Sequence, residues 1–249
     1  MSFSTATLEA TEQGDVCEVV IRAERITVAM VADLEALATW LDDACTCSVV
    51  VFRGRAGRFT QGIDLSDFSL RQTPDIHGFN KWERALAALE RLKKITIAAI
   101  EGPCRGGGVQ LALACDHRIA TPTAIFALDE VKNGFLPGLA VYRLAKHVGM
   151  GVARYMVLSG QPVDAAEAAR TGLIHTVATD LDAEIARATT AFLPVDGVAV
   201  SLARRLLNDC WNKPYEDFLG DFLAAQHRAV SGETFQRRLR DEALRPPAS

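Results

Sequence analysis

The chain has 249 residues, 49% of them hydrophobic, and a net charge of −4, from 31 acidic and 27 basic side chains. That length and composition support a substantial core in one or two domains, and the acidic balance offers no surface for nucleic acid. No apolar run is long enough to span a membrane, and the N-terminus has no signal-peptide hydrophobic region, so the expected setting is cytoplasmic.

Taken in order, residues 16–22 read as a strand and residues 30–41 place apolar side chains at helical spacing. Residues 48–53 form a strongly β-branched strand. Glycines and charges mark 54–65 as a loop, with Asp64 positioned to cap a following helix. Residues 66–78 are polar and expected to be mobile, and 79–92 form a helix with Trp82, Leu86 and Leu89 on one side. An apolar strand over 95–100 then enters Glu101-Gly102-Pro103-Cys104-Arg105-Gly106-Gly107-Gly108, and 111–115 continue as helix. Beyond it, 116–121 form a short strand, 123–138 carry loop residues, and 139–148 and 152–158 are helical. Asp164 caps a helix that Gly172 stops, and 173–177 make a brief strand. From residue 182 the pattern is helical, ending in a basic helix around 235–240. The first half alternates strands and helices, and the second is helical.

The glycine turn after residue 100 is the most informative local feature. Three glycines without Cβ atoms let a ligand approach the backbone. At a helix opening they leave N–H groups unpaired at the positive end of the dipole. Two readings stay open: a tight strand-to-helix connection, or an oxyanion hole that needs a second N–H donor from elsewhere. Phosphate binding is disfavoured, since no Gly-Lys-Ser/Thr follows the turn. The six cysteines, at 17, 45, 47, 104, 115 and 210, contain no CxxC pair and are read as reduced thiols. The five histidines form no metal spacing.

Four blocks together resemble the crotonase (enoyl-CoA hydratase/isomerase) superfamily over nearly the whole chain. They are Phe59-Thr60-Gln61-Gly62-Ile63-Asp64-Leu65; Ala98 to Gly102 with the three glycines and Cys115-Asp116; Ala124-Ile125-Phe126 to Glu130 with Gly134-Phe135-Leu136-Pro137-Gly138; and Leu158-Ser159-Gly160 through Gly172-Leu173-Ile174 to Val177. The resemblance implies an α/β fold, a crotonase-like spiral of ββα units over residues 1–190. It also implies a helical C-terminal trimerisation region over 191–249, with trimers pairing into hexamers. The implied ligand is an acyl-CoA thioester, with no cofactor beyond the coenzyme A of the substrate. By the same similarity the N–H groups of Ile63 and Gly107 grip the thioester oxygen, and Gly62, Gly106, Gly134, Pro137 and Gly138 shape the substrate site.

The family's hydratases use two glutamates. Here one is kept as Glu130, and the other position holds Gln110. Glutamine moves no proton, although it orients water or substrate by hydrogen bonds. One carboxylate suffices to lift a proton from one carbon and return it to another, so double-bond isomerisation ranks above hydration. Decarboxylation in a specialised biosynthetic pathway and a non-catalytic thioester-binding subunit are the alternatives. Asp129, beside Glu130, is the weaker candidate, because sequence neighbours rarely share a pocket. Asp64, Asp116 and His117 read as structural. For coenzyme A the resemblance points to Arg25, Phe235 and Arg238, the last two on the basic C-terminal helix, although the family's usual Arg-Pro and Asn-Ala-Leu segment near Arg22 and Arg25 is missing.

Overall fold

A computed structural model describes residues 1–69, 76–193 and 196–243. In chain order its elements begin with β1 (Ser2–Ser4), β2 (Leu8–Gln13), β3 (Val16–Ile21), α1 (Val28–Asp43), β4 (Val49–Arg53), α2 (Leu65–Ser69), α3 (Ile76–Arg91) and β5 (Ile95–Ile100). Next come β6 (Pro103–Arg105), α4 (Gly107–Leu113), β7 (His117–Ala120), β8 (Ile125–Ala127), a 3-10 turn (Glu130–Asn133), α5 (Ala140–Ser159), β9 (Val163–Asp164), α6 (Ala165–Thr171) and β10 (Thr176–Val177). The chain closes with α7 (Leu181–Phe192), α8 (Gly197–Asp209), α9 (Tyr215–Val230) and α10 (Glu233–Ala243). It divides into two compact units, Met1–Leu193 and Pro194–Ser249. No single described helix is long and apolar enough to cross a membrane.

Seven strands of the first unit form one sheet in the order β1-β2-β3-β4-β5-β7-β10. Its centre is parallel: β4 pairs with β3 on one side and β5 on the other, with Val51 opposite Glu18 and Ile97. Parallel strands covered on both faces read as continuous apolar runs, and residues 49–52 of β4 are all buried. The helix α3 lays Trp82, Ala85, Leu86 and Leu89 into the core, the stripe expected of an amphipathic helix.

A second sheet, β6-β8-β9, carries the site. Residues 123–138, expected to be loop, contain β8 and the 3-10 turn. Ile125–Ala127 is too short for its alternation to stand out, and the register with Pro103–Arg105 fixes it as a strand. Of residues 66–78, Leu65–Ser69 and Ile76 onward are helical, and 70–75 lie outside the described residues. Asp64 caps α2 as expected, its Oδ1 accepting from the Ser66 amide at 3.0 Å. The α6 cap is also local: Asp164 accepts from the Glu167 amide, and Gly172 ends the helix at φ 81°.

Candidate active site

The site begins where two loops are fastened together. Thr60 pairs with Cys104 in an isolated parallel bridge: the Thr60 amide donates to the Pro103 carbonyl, and the Arg105 amide donates to the Thr60 carbonyl, both at 3.1 Å. This stitch carries Gly62 and Ile63 beside the three glycines. A second bridge joins Ile26 to Ile63, through the Ile26 amide on the Gly62 carbonyl and the Asp64 amide on the Ile26 carbonyl. Because strand amides alternate sides, the Ile63 N–H is turned away from Ile26. The Gly107 N–H, at the opening of α4, has no intrahelical acceptor.

The glycine turn differs in one respect from a direct strand-to-helix connection. The short strand β6 intervenes, and the helix starts at Gly107 itself. Gly106 adopts φ 50° and ψ −117°, a conformation only glycine holds cheaply. Space gives the second reason for glycine: a Cβ there would sit 2.6 Å from Glu130 Oε1. The carboxylate therefore packs directly on the backbone that leads into Gly107.

Glu130 opens the 3-10 turn and is 5% exposed. Its Oε2 has no hydrogen-bond partner among the described residues. Burial, more than the neighbouring Asp129, pushes its carboxyl up to about 7. The backbone and Arg105 act in the opposite, weaker sense. Glu130, Ile63, Gly62, Gly106 and Arg25 line one cleft of about 240 Å³, together with Arg105 and Asp129.

Near this turn, three buried polar atoms have no hydrogen-bond partner among the described residues. They are Glu130 Oε2, Gln110 Oε1 and Trp82 Nε1. Trp82 Cζ2 is 3.3 Å from where a Cβ on Gly107 would stand, and the Gln110 amide is 2.8 Å from where one on Gly138 would stand.

The remaining expected residues are placed as follows. Gln110 is 1% exposed and packs against Gly138; it is not part of the cleft lining. Gly134 is a left-handed turn residue closing the 3-10 segment, its amide shared between the Glu130 and Val131 carbonyls. The Pro137 carbonyl accepts from the Ala140 amide at 3.0 Å, opening α5. Phe235 and Arg238 lie on α10 in the second unit. Arg22 is occupied elsewhere, bonded to Ser4 and Thr5 and paired with Glu9. Asp116 is structural, its carboxylate accepting from the Thr96 amide at 2.8 Å and hydroxyl at 2.9 Å.

Asp129 corrects the expectation from sequence. It lines the cleft beside Glu130 and pairs with Arg105. Adjacent residues reach one cleft because the chain leaves the extended conformation at Asp129 (φ −102°, ψ 14°) and tightens into the 3-10 turn. Arg105 was legible only as a charge in a glycine-rich turn. Glu83, one position after a recognised core residue, gave no signal at all. Cys17, Cys45 and Cys47 form a buried group with sulfur atoms within 4.8 Å of one another. Burial and neighbouring thiols push Cys45 up to about 11.

A buried carboxyl raised toward neutrality in a glycine-walled cleft is an arrangement suited to proton transfer. The comparisons identify the group. The model of the enoyl-CoA hydratase/isomerase family matches residues 15–237, and the chain belongs to that family. An enoyl-CoA hydratase from Amycolatopsis orientalis is 36% identical over 154 residues, covering 62% of this chain and 71% of that one. A short-chain-enoyl-CoA hydratase from Clostridium acetobutylicum is 32% identical over 174 residues, 67% of this chain and 66% of its own. The fold matches the crystal structure of an enoyl-CoA hydratase from Bacillus anthracis at a TM-score of 0.88 and 23% identity, over 94% of this chain and 95% of the other. A Thermobifida fusca chain solved in complex with CoA matches at 0.82 and 27% identity, over 91% and 93%. The crotonase-like α/β fold with a helical C-terminal region is therefore the architecture of this protein.

Proposed function

We propose that the chain binds an acyl-CoA thioester and stabilises its enolate, with the N–H groups of Ile63 and Gly107 on the thioester oxygen and Glu130 as proton shuttle. The observation that carries this reading is Glu130: a buried carboxyl with a free oxygen, packed on Gly106 in the cleft that Ile63 lines. Backbone amides suit the oxyanion role because they cannot titrate and are fixed before reaction. Losing one such donor costs roughly 3 kcal/mol in the transition state. Glu130 then takes a proton from one carbon of the bound acyl group and returns it to another, which shifts a double bond. Gln110 stands where a second carboxylate would serve hydration, and this favours isomerisation.

Hydration is the second reading. It is supported by the relatives named hydratases. Ultraviolet absorbance separates the two: conjugation is gained when a 3-enoyl-CoA is isomerised and lost when a 2-enoyl-CoA takes up water. Glu130→Gln should abolish whichever reaction the native protein performs. Native protein that neither turns over nor binds any member of an enoyl-CoA panel would refute the enzyme reading.

The trimer or hexamer implied by the resemblance belongs to the same proposal. It is supported by exposed Leu207, Trp211, Tyr215 and Leu223 in the second unit, and light scattering tests it. Coenzyme A contacts by Arg25, Phe235 and Arg238, and a reducing cytoplasmic setting consistent with six free cysteines, are proposed on the same footing.

A further inference from the structure

We propose that Cys17, Cys45 and Cys47 form a binding site for a soft monovalent metal ion, Cu(I). None of the three lines the cleft described above. Cys17 faces inward from β3, whose residues alternate between half-buried and buried. Cys45 and Cys47 lie in the connection between α1 and β4. Buried and exposed residues alternate there too, so Thr46 and Ser48 face water and both thiols face the core. The Cys45 thiol stands 3.1 Å from the Cys47 sulfur, and all three sulfurs lie within 4.8 Å of one another. Three sulfurs bound to one ion through ~2.3 Å bonds stand roughly 4 Å apart. An ion therefore needs small adjustments of the side chains and no rebuilt loop.

A buried thiol by itself packs as a small apolar group. These three differ because the connection that carries two of them is fixed along its length. The Ala44 and Cys45 amides both donate to the Trp40 carbonyl, at 2.9 and 3.1 Å, and the Ser48 amide donates to the Asp15 carbonyl at 2.9 Å. The Thr46 amide donates to the Glu12 carboxylate at 2.8 Å. The Lys94 ammonium donates to the Cys45 carbonyl at 2.8 Å and to the Cys47 carbonyl at 2.9 Å. That cation offsets part of the negative charge that thiolates bring into a buried place. Cys45, 6% exposed, is the end nearest solvent and the route of entry. Coordination number then selects the ion. Thiolates prefer soft cations. Structural zinc takes four ligands, and among the described residues no further His, Cys, Asp or Glu joins the three. Cu(I), with a filled d shell, is satisfied by two or three sulfurs. Each bond from copper to a thiolate sends one thiol proton to water, and the copper stays Cu(I).

The test is anaerobic titration of the reduced full chain against the coloured Cu(I)–bicinchoninate complex, which fades as the protein takes the ion. The native protein should take up one ion per chain and gain an ultraviolet thiolate-to-copper charge-transfer band. Cys47→Ala should lower the affinity by more than about 10-fold, since even an outer partner of a metal ligand is worth that much. Cys210→Ser alters the exposed thiol and should change nothing. If circular dichroism shows that Cys47→Ala does not fold, Cys45→Ala should show the same loss. Native protein that takes no Cu(I) from the chelator overturns the inference. So does full affinity retained without Cys45 or Cys47, or Zn(II) bound at these cysteines as tightly as Cu(I). Turnover of acyl-CoA is not read in this titration, so its result stands apart from the enzyme proposal.

Discussion

Glu130→Gln removes a buried titrating group with little change of shape, and its effect on stability should depend on pH. The carboxyl is raised from 4.5 to about 7, chiefly by burial. A raised value means that the folded state holds the proton more tightly than the unfolded chain does. The stability this confers is complete below pH 4.5 and is lost as pH climbs through 7. At about 1.4 kcal/mol per unit, the ionised carboxylate costs the fold ~3 kcal/mol by pH 8, and water entering the cleft trims this to about 2 kcal/mol. The glutamine variant escapes that cost. Its Tm relative to native should therefore rise between pH 4 and pH 8, by about 4–8 °C for a chain of this size. Thermal unfolding of both proteins across that range measures it. A Tm difference that stays flat with pH would show that Glu130 is solvated and not poised, and the proton-shuttle argument would lose its base. In the native enzyme the rate should climb with pH toward a plateau above 7, as Glu130 ionises.

Gly106→Ala should fold at a cost of about 1–3 kcal/mol for its φ of +50°. It should also lose more than ~10-fold in turnover, because the new Cβ displaces a carboxylate oxygen 2.6 Å away; circular dichroism and rate are the readouts. Gly107→Ala drives a methyl to 2.5 Å from Ile26 Cδ1 and should destabilise by about 1–3 kcal/mol. Adding Ile26→Val should recover part of that, and a double-mutant denaturation cycle measures the coupling. Arg118→Met leaves the Leu173 and Cys115 carbonyls, each now bonded at 2.7 Å, without their donor. A loss of about 2–4 kcal/mol in chemical denaturation is expected. Saturating CoA thioester should stabilise the fold by mass action, by about 2.7 kcal/mol at a hundred-fold excess over Kd, and so raise Tm, whereas adenosine alone should do less.

Local chemistry was readable without coordinates. Asp164 and Gly172 bound α6 because capping and a left-handed stop involve only residues a few positions apart. The β-branched run of β4 and the apolar stripe of α3 follow from periodicity. The four blocks that carry the family resemblance include Ile63, Gly106, Gly107 and Glu130, because glycine at a close approach and a lone acid near it leave marks in the sequence itself. Three-residue strands do not: β1 and β8 exist through their partners, Ser2–Ser4 against Glu9–Thr11 and Ile125–Ala127 against Pro103–Arg105.

What folding alone decided is which side chains share a space. Asp129 joined Glu130 in one cleft because the backbone tightens there into a 3-10 turn. Glu83 met Leu139 across 56 positions of sequence, and Arg143 secured it from the following helix. Periodicity and caps report a residue's relation to its own segment. The approach of both Glu83 and Gln110 to Gly138 depends on how α3, α4 and that turn converge, and only the packed chain brings them there.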